Sequence, residues 1–309
     1  MVEEAFADIP RLHPHVRQVI PVAWRRWRSS IWAQRSELVA FVETLRSERY
    51  DVVIDSQGLI KSAIITLLAR GRRAGYSHTA AREPWAAFCY DRRVLVDRSL
   101  HAIERQRGLF AAVLDYDLAE DWRSGIEVQP EGHGRRVLFL HGTTWPSKHW
   151  PENMWLALVE AARTDGIEVL VTWGSDEEKL RAERLARAGA HLVARMPIGE
   201  LVGMMRGLSA VVTVDSGLGH LSAALGIPTL GLYGATDGDL TGCRGLHARH
   251  LMGRAPCSPC LRRNCDRYEG EPPEWHNEAI EPPCFSNVLP DRVWHEVKTM
   301  IGAPVEVGG

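Results

Sequence analysis

Five short apolar, β-branched runs punctuate the chain, at residues 51–55, 136–141, 167–173, 210–214 and 229–233. Each ends in small or polar residues before a helical pattern begins, so buried strands alternate with helices and predict parallel βαβ units. Between the first run and the others, residues 120–136 are polar, contain glycine and show no periodicity, which places a domain boundary there. Two α/β domains are expected, over 1–134 and 135–289. Farther on, Asp291 can cap a helix whose Val293, Val297 and Ile301 share one face. Residues 269–283, rich in Glu and Pro, read as an irregular loop.

Composition narrows the class. With 309 residues, 45% hydrophobic and 25% charged, the chain can bury two cores. A formal charge of -2 argues against a general nucleic-acid binder and confines any basic site to a local cluster. No apolar run approaches the roughly 20 residues of a membrane-spanning helix. The opening Met1-Val2-Glu3-Glu4 has neither the basic nor the apolar part of a signal peptide, so a cytoplasmic protein is expected.

Candidate chemistry gathers where strands end. The run 211–214 passes into Asp215-Ser216-Gly217-Leu218-Gly219-His220 and then a stretch of small residues. A strand entering a helix through such a turn aims free backbone N–H groups at the carboxyl end of the sheet, which suits a phosphate. Gly217 and Gly219 allow close approach, and Asp215, Ser216 and His220 add side-chain hydrogen bonds. The same pattern also fits a turn that uses glycine for steric reasons alone. After the strand ending at His141 come Thr143, Thr144 and Lys148, two hydroxyls and a mobile cation of the kind a diphosphate leaving group needs; a solvated lysine and two turn-forming threonines are the alternative. A third strand end, Trp173-Gly174-Ser175-Asp176-Glu177-Glu178, puts Glu178 where it can hold ribose hydroxyls or support the helix dipole. Met196 reads as a core gap-filler unless a ligand lies beside it. No Walker motif, nucleophile elbow or Gly-x-Gly-x-x-Gly accompanies these loops, which leaves a nucleotide-diphosphate sugar as the best-fitting ligand.

These segments carry a resemblance. Thr143-Thr144 with Lys148, Trp150 and Pro151, Trp173-Gly174 with Glu178, and Asp215-Ser216-Gly217-Leu218-Gly219-His220-Leu221 resemble the lipopolysaccharide heptosyltransferase I family. In the first half, residues 54–63, Ala81-Arg82-Glu83-Pro84 and His101-Ala102-Ile103-Glu104-Arg105 look like the same family. The resemblance implies a GT-B architecture of two Rossmann-like domains facing across a cleft, the first binding acceptor and rejoined by the C-terminal helix 290–309, the second binding donor. It implies inverting, metal-independent transfer of heptose from ADP-heptose to Kdo2-lipid A, without a cofactor, by a monomer on the cytoplasmic face of the inner membrane. Carried over by position, Thr143, Thr144 and Lys148 would meet the donor phosphates, Glu178 the ribose and Met196 the adenine surroundings. The 215–220 turn would close over diphosphate and heptose. Alternatives are transfer of another nucleotide-linked sugar, or a nucleotide-binding remnant without catalysis.

A basic cluster near the start, Trp24-Arg25-Arg26-Trp27-Arg28 followed by Trp32, suits the phosphates and carboxylates of such an acceptor, with Lys61 and Arg82 joining it. It also reads as a solvated helix edge with its tryptophans turned inward, and the two readings coexist. The family's opening strand, Ser-Met-Gly-Asp-type turn and helix, about one βα unit, carry its catalytic aspartate and have no counterpart here. A start assigned too late or a truncated gene would each account for that, and mass spectrometry of the native N-terminus separates them. Asp55 and His220 are candidate bases on chemistry, but Asp55 reads better as a turn cap and His220 as a donor contact, so no catalytic residue is assigned. Cys257, Cys260 and Cys265, with Cys284 beyond, have a spacing that fits zinc, free thiols or a disulfide.

Overall fold

The computed structural model describes residues 1–29, 33–119, 122–128, 135–265 and 281–302. The chain divides into two compact units, Met1–Glu120 and Asp121–Gly309.

In the first unit the order is β1 (Val2–Glu3), α1 (Asp8–Arg11), β2 (Pro21–Val22), α2 (Trp24–Ser29), α3 (Arg35–Arg46), β3 (Val52–Asp55), α4 (Ile60–Leu68), β4 (Arg72–Tyr76), β5 (Arg92–Val94) and α5 (Ala102–Leu114). All its strand pairs are parallel: β1 with β2, β3 with β4 (Asp55 opposite Gly75), and β4 with β5. The two ladders are separate sheets. A cavity of about 350 Å³ is lined by Val52, Val53 and Ile54 of β3, Leu45 of α3, and Met1 and Ile20, which precede β1 and β2. Three small apolar clusters hold the unit: Val22, Trp27, Phe41 and Leu45; Tyr76, Val96 and Leu109; and Ala63 with Ala86, Ala87 and Tyr90. His101 and Glu104 start α5 as a reciprocal capping box, which satisfies two N–H groups that the first helical turn leaves over.

The second unit is a six-stranded, all-parallel sheet in the order β11-β10-β9-β6-β7-β8. Its strands are β6 (Arg136–Leu140), β7 (Glu168–Val171), β8 (His191–Leu192), β9 (Ala210–Val214), β10 (Thr229–Tyr233) and β11 (Ala248–Met252). Its helices are α6 (Glu152–Thr164), α7 (Asp176–Arg187), α8 (Ile198–Met205), α9 (Gly217–Ala224), α10 (Gly238–Thr241) and α11 (Pro290–Gly302). The central strands are buried along their lengths, as continuous apolar runs covered on both faces must be. From β6 the chain steps outward through β7 and β8, then returns to β9 and steps out the other way. The topological switch therefore lies between β6 and β9, and the crevice outside their carboxyl ends is where such sheets bind ligands.

Two expectations need correction. The closing helix α11 belongs to the second unit: it packs on α6, buries Val293, Trp294, Val297 and Met300 in that unit's core, and its Trp294 Nε1 donates to Asp165 at 2.8 Å. The boundary falls at 120/121 rather than 134/135, because residues 122–128 are fastened to the second unit. Val128 N–H donates to Leu225 O at 3.0 Å, Ser124 Oγ donates to Ala224 O at 2.5 Å, and Arg244 sits 5.1 Å over the Trp122 ring. The irregular loop expected at 269–283 lies mostly outside the described residues.

Candidate active site

The switch point of the second unit's sheet gathers the residues singled out by sequence. Thr143, Thr144 and Lys148 follow β6, Asp215 to His220 follow β9, and Glu178 sits in the first turn of α7, beyond β7. Asp215 is the hub. Its carboxylate takes Lys148 Nζ at 2.8 Å and the Thr236 hydroxyl at 2.8 Å, with His220 Nε2 at 3.9 Å, while its main-chain carbonyl accepts from Thr143 Oγ1 at 3.0 Å. Burial pushes the Asp215 carboxyl up, but the bonds from His220, Lys148 and Thr236 outweigh it and hold it at about 2. Asp215 is thus an anion at every physiological pH, and it parks a lysine whose side chain is only 16% exposed and lies 4.2 Å over the Trp145 ring. An anion of higher charge entering the crevice finds that cation already positioned.

The glycine turn separates into two functions. At Gly219 an added Cβ would stand 2.6 Å from Thr213 Cγ2 and Oγ1, so this glycine lets α9 lie against β9. At Gly217 an added Cβ meets nothing within 4 Å, so space is open above the first turn of α9, where backbone N–H groups lack helical partners. Ser216 is the N-cap: its hydroxyl accepts the Gly219 N–H at 3.2 Å and pairs with Thr213 Oγ1 at 3.0 Å. Leu218 is half-buried in the same turn.

Glu178 lies in the first turn of α7. With Ser175 it forms a capping box, Oε2 accepting Gly174 N–H at 2.7 Å. An added Cβ at Gly142 would stand 2.4 Å from Glu178 Oε1, so the absence of a side chain after β6 is what admits this carboxylate to the strand ends. Met196 is half-buried in the stretch between β8 and α8. Sequence reasoning passed over Thr236, 6% exposed two residues beyond Gly234, whose only signal was its place after a strand end. It also passed over Ser147, which fastens the 143–148 loop to the cysteine loop: Ser147 N–H donates to Arg263 O at 3.2 Å and Ser147 Oγ to Arg262 O at 2.5 Å.

In the first unit, α2 turns Trp27 into the core, its ring 5.0 Å from that of Phe41, and leaves Arg25, Arg26 and Arg28 outside. Arg26 is bound to Glu4 at 2.9 Å and Glu37 at 2.5 Å. Lys61 and Arg82 are exposed, and Lys61 lines a pocket together with Asp55, Gln57 and Trp24. Trp32 lies outside the described residues. Asp55 is buried and fully engaged, accepting from Tyr90 Oη at 2.6 Å, Ser62 Oγ at 2.7 Å and Gln57 N–H at 2.9 Å, as its turn-capping reading expected. Cys257 and Cys265 are exposed, Cys260 is half-buried and Cys284 is buried. Burial and the neighbouring Cys265, Cys257 and Cys260 push the Cys284 thiol up to about 12. Among the described residues, no three His, Cys, Asp or Glu side chains stand together as a metal-holding group.

A parallel sheet whose switch point holds a cation and an open glycine turn, in a chain of two α/β units, is the site of an α/β protein that binds an anionic ligand such as a nucleotide diphosphate. The comparisons with known proteins carry this one step further. The chain belongs to glycosyltransferase family 9 (heptosyltransferase), whose family model matches residues 38–269. It is similar to lipopolysaccharide heptosyltransferase 1 of Pseudomonas aeruginosa, with 42% identity covering 98% of this chain and 89% of that protein. The protein of the same name from Escherichia coli K12 is 40% identical over 85% of this chain and 86% of its own length. Among solved structures, E. coli heptosyltransferase WaaC with ADP superposes with a TM-score of 0.77 at 39% identity, covering 81% of this chain and 82% of that one. WaaC with ADP-2-deoxy-2-fluoro heptose gives 0.73 at 38% identity, covering 82% of each chain.

Proposed function

We propose that this chain transfers heptose from ADP-heptose to Kdo2-lipid A, the first heptose addition of the lipopolysaccharide inner core. The observation that carries the donor half is the Lys148–Asp215 pair beneath the open turn at Gly217. Lys148 neutralises the donor diphosphate and then the charge that develops as ADP departs. The Thr144 hydroxyl and the N–H groups at the start of α9 donate to the remaining oxygens, and Thr143 holds the Asp215 segment in place. Glu178 Oε1, free of the capping box, accepts from the ribose hydroxyls, and Met196 packs by the adenine. Asp215 and His220 face the sugar. Because these dipoles and the cation are fixed before substrate arrives, they stabilise the leaving group without reorganising.

On the acceptor side, Arg25 and Arg28, with Lys61 and Arg82, bind the anionic groups of Kdo2-lipid A at the bilayer surface, while Arg26 mainly holds α2 to Glu4 and Glu37. The likeness to relatives named heptosyltransferase 1 supports this choice of sugar and acceptor. No helix among the described residues is long and apolar enough to cross a membrane. The test incubates the chain with ADP-heptose and Kdo2-lipid A and follows ADP release together with the acceptor's mass. A gain of one heptose is the expected result. Lys148→Ala should lower kcat/KM by two orders of magnitude or more, as loss of a charge-stabilising donor does, with the fold intact. Transfer from another nucleotide sugar in preference to ADP-heptose would overturn the reading.

A further inference from the structure

Two neighbouring elements of the first unit meet through small residues and leave several large apolar residues outside, although Ile65 of the helix turns inward. Helix α4 and the 3-10 turn Pro84–Cys89 meet through Ala63, Ala86 and Ala87, all essentially inaccessible. The Glu83 carboxylate ties them further by accepting the Ile60 N–H at 2.7 Å. Ile60, Ile64 and Leu67, spaced to share one stripe of α4, are each more than 40% exposed. Trp85 and Phe88 are 70% and 63% exposed, and their rings stack on each other 5.7 Å apart. An amphipathic helix on a water-facing surface shows the opposite order, with its apolar stripe against the core. Large apolar side chains left exposed on two elements packed against each other mark a binding surface.

The charge around it says what binds. Residues 60–98 contain eight Lys and Arg against three Asp and Glu, in a chain whose formal charge is -2. One of those three acids, Asp91, is already taken by Arg73 at 2.6 Å. Arg93 lies 5.7 Å over the Phe88 ring, so a guanidinium sits at the edge of the aromatic pair. A second copy pairing through the same face would set two basic fringes against each other, a repulsive arrangement across a two-fold. An anionic bilayer meets both halves of the pattern: aromatic rings settle at the boundary of headgroups and acyl chains, and arginines take the headgroup phosphates.

We propose that the α4 stripe with Trp85 and Phe88 is the surface by which this protein docks on an anionic lipid bilayer. The proposal deepens the reading above, in which the acceptor is itself a bilayer lipid, and assigns the docking to side chains outside the donor and acceptor sets. Flotation with vesicles of phosphatidylethanolamine containing phosphatidylglycerol tests it. The chain should float with these vesicles, less with phosphatidylcholine vesicles, and less as salt is raised. The double variant Trp85→Gln, Phe88→Gln should bind about tenfold more weakly or worse, with an unchanged melting curve because both side chains are exposed. Its transfer rate to a deacylated, water-soluble Kdo acceptor should match that of the parent. Failure of the parent to float, or equal binding by the double variant, would overturn the proposal. So would a concentration-dependent dimer in sedimentation that the double variant abolishes, since the face would then join two copies. Absence of heptose transfer with vesicle docking intact would count against the functional reading and leave the docking surface standing.

Discussion

Single side chains decide how the switch point works, and the two glycines of its turn are a direct check. Gly219→Ala drives a methyl into Thr213, so it should destabilise the second unit by about 1–3 kcal/mol. Gly217→Ala has room and gains helix propensity, so its stability should be equal or slightly higher, while ADP binding weakens because the methyl occupies the open approach to the backbone. Denaturant melts and calorimetric titration with ADP separate the two effects. Sequence showed both glycines but not their division of labour, which depends on Thr213, six residues before Gly219 and on the adjoining strand. The Ser175–Glu178 capping box was legible, since the Ser-Asp-Glu-Glu spelling carries it. A second check concerns His141, fully buried at the end of β6. Burial and the nearby Arg181 push it from its ordinary 6.5 down to about 4. Its folded value is therefore depressed and the neutral ring is the stable one. The unfolded chain takes up a proton below about 6.5 that the folded chain refuses, so stability present at neutral pH is lost as pH falls from 6.5 towards 4, by up to about 3 kcal/mol. His149 and His250 are lowered by burial too and add in the same direction. Urea midpoints across that window should fall less steeply for His141→Asn than for the parent.

Among elements, those with a continuous apolar run were legible: β3, β6, β7, β9 and β10 lie within a residue or two of where the pattern puts them. Strand β4, spelled Arg-Arg-Ala-Gly-Tyr, and β11, spelled Ala-Arg-His-Leu-Met, were not. Each follows a neighbouring strand's register rather than a hydrophobic signal of its own, and β11, at the sheet edge, keeps only Leu251 buried. The staple between the 143–148 loop and the cysteine loop was also invisible, because it joins main-chain carbonyls of Arg262 and Arg263 to a serine 115 residues away from Arg262. It predicts a coupling between loops. Ser147→Ala removes the hydroxyl bond to Arg262 O, at a loss of about 1 kcal/mol. The next residue is Lys148, so donor binding should weaken as well, measured as a raised KM for ADP-heptose with kcat less affected. An unchanged KM would show that the loops are independent.

At the scale of the whole molecule, the cores are unequal and separate. Among the described residues, the second unit has an extended cluster running from Val137 to Met300 and buries further apolar side chains outside it, such as Leu138, Val211 and Leu225, whereas the first shows three small clusters and two short ladders. The resemblance put α11 with the first unit; the helix's own pattern records which of its faces is apolar and not which core receives it. Two units with unlike cores should not melt as one cooperative block. Calorimetry should therefore show two transitions, the earlier belonging to the first unit. The proposed donor site is built from residues of the second unit, and ligand at about a hundred times its dissociation constant adds about 2.7 kcal/mol to the unit that holds it. The later transition should then move up with ADP while the earlier one stays in place. Lys148→Ala should reduce that shift without altering the earlier transition, whereas an equal rise of both would mean that the ligand draws on both units.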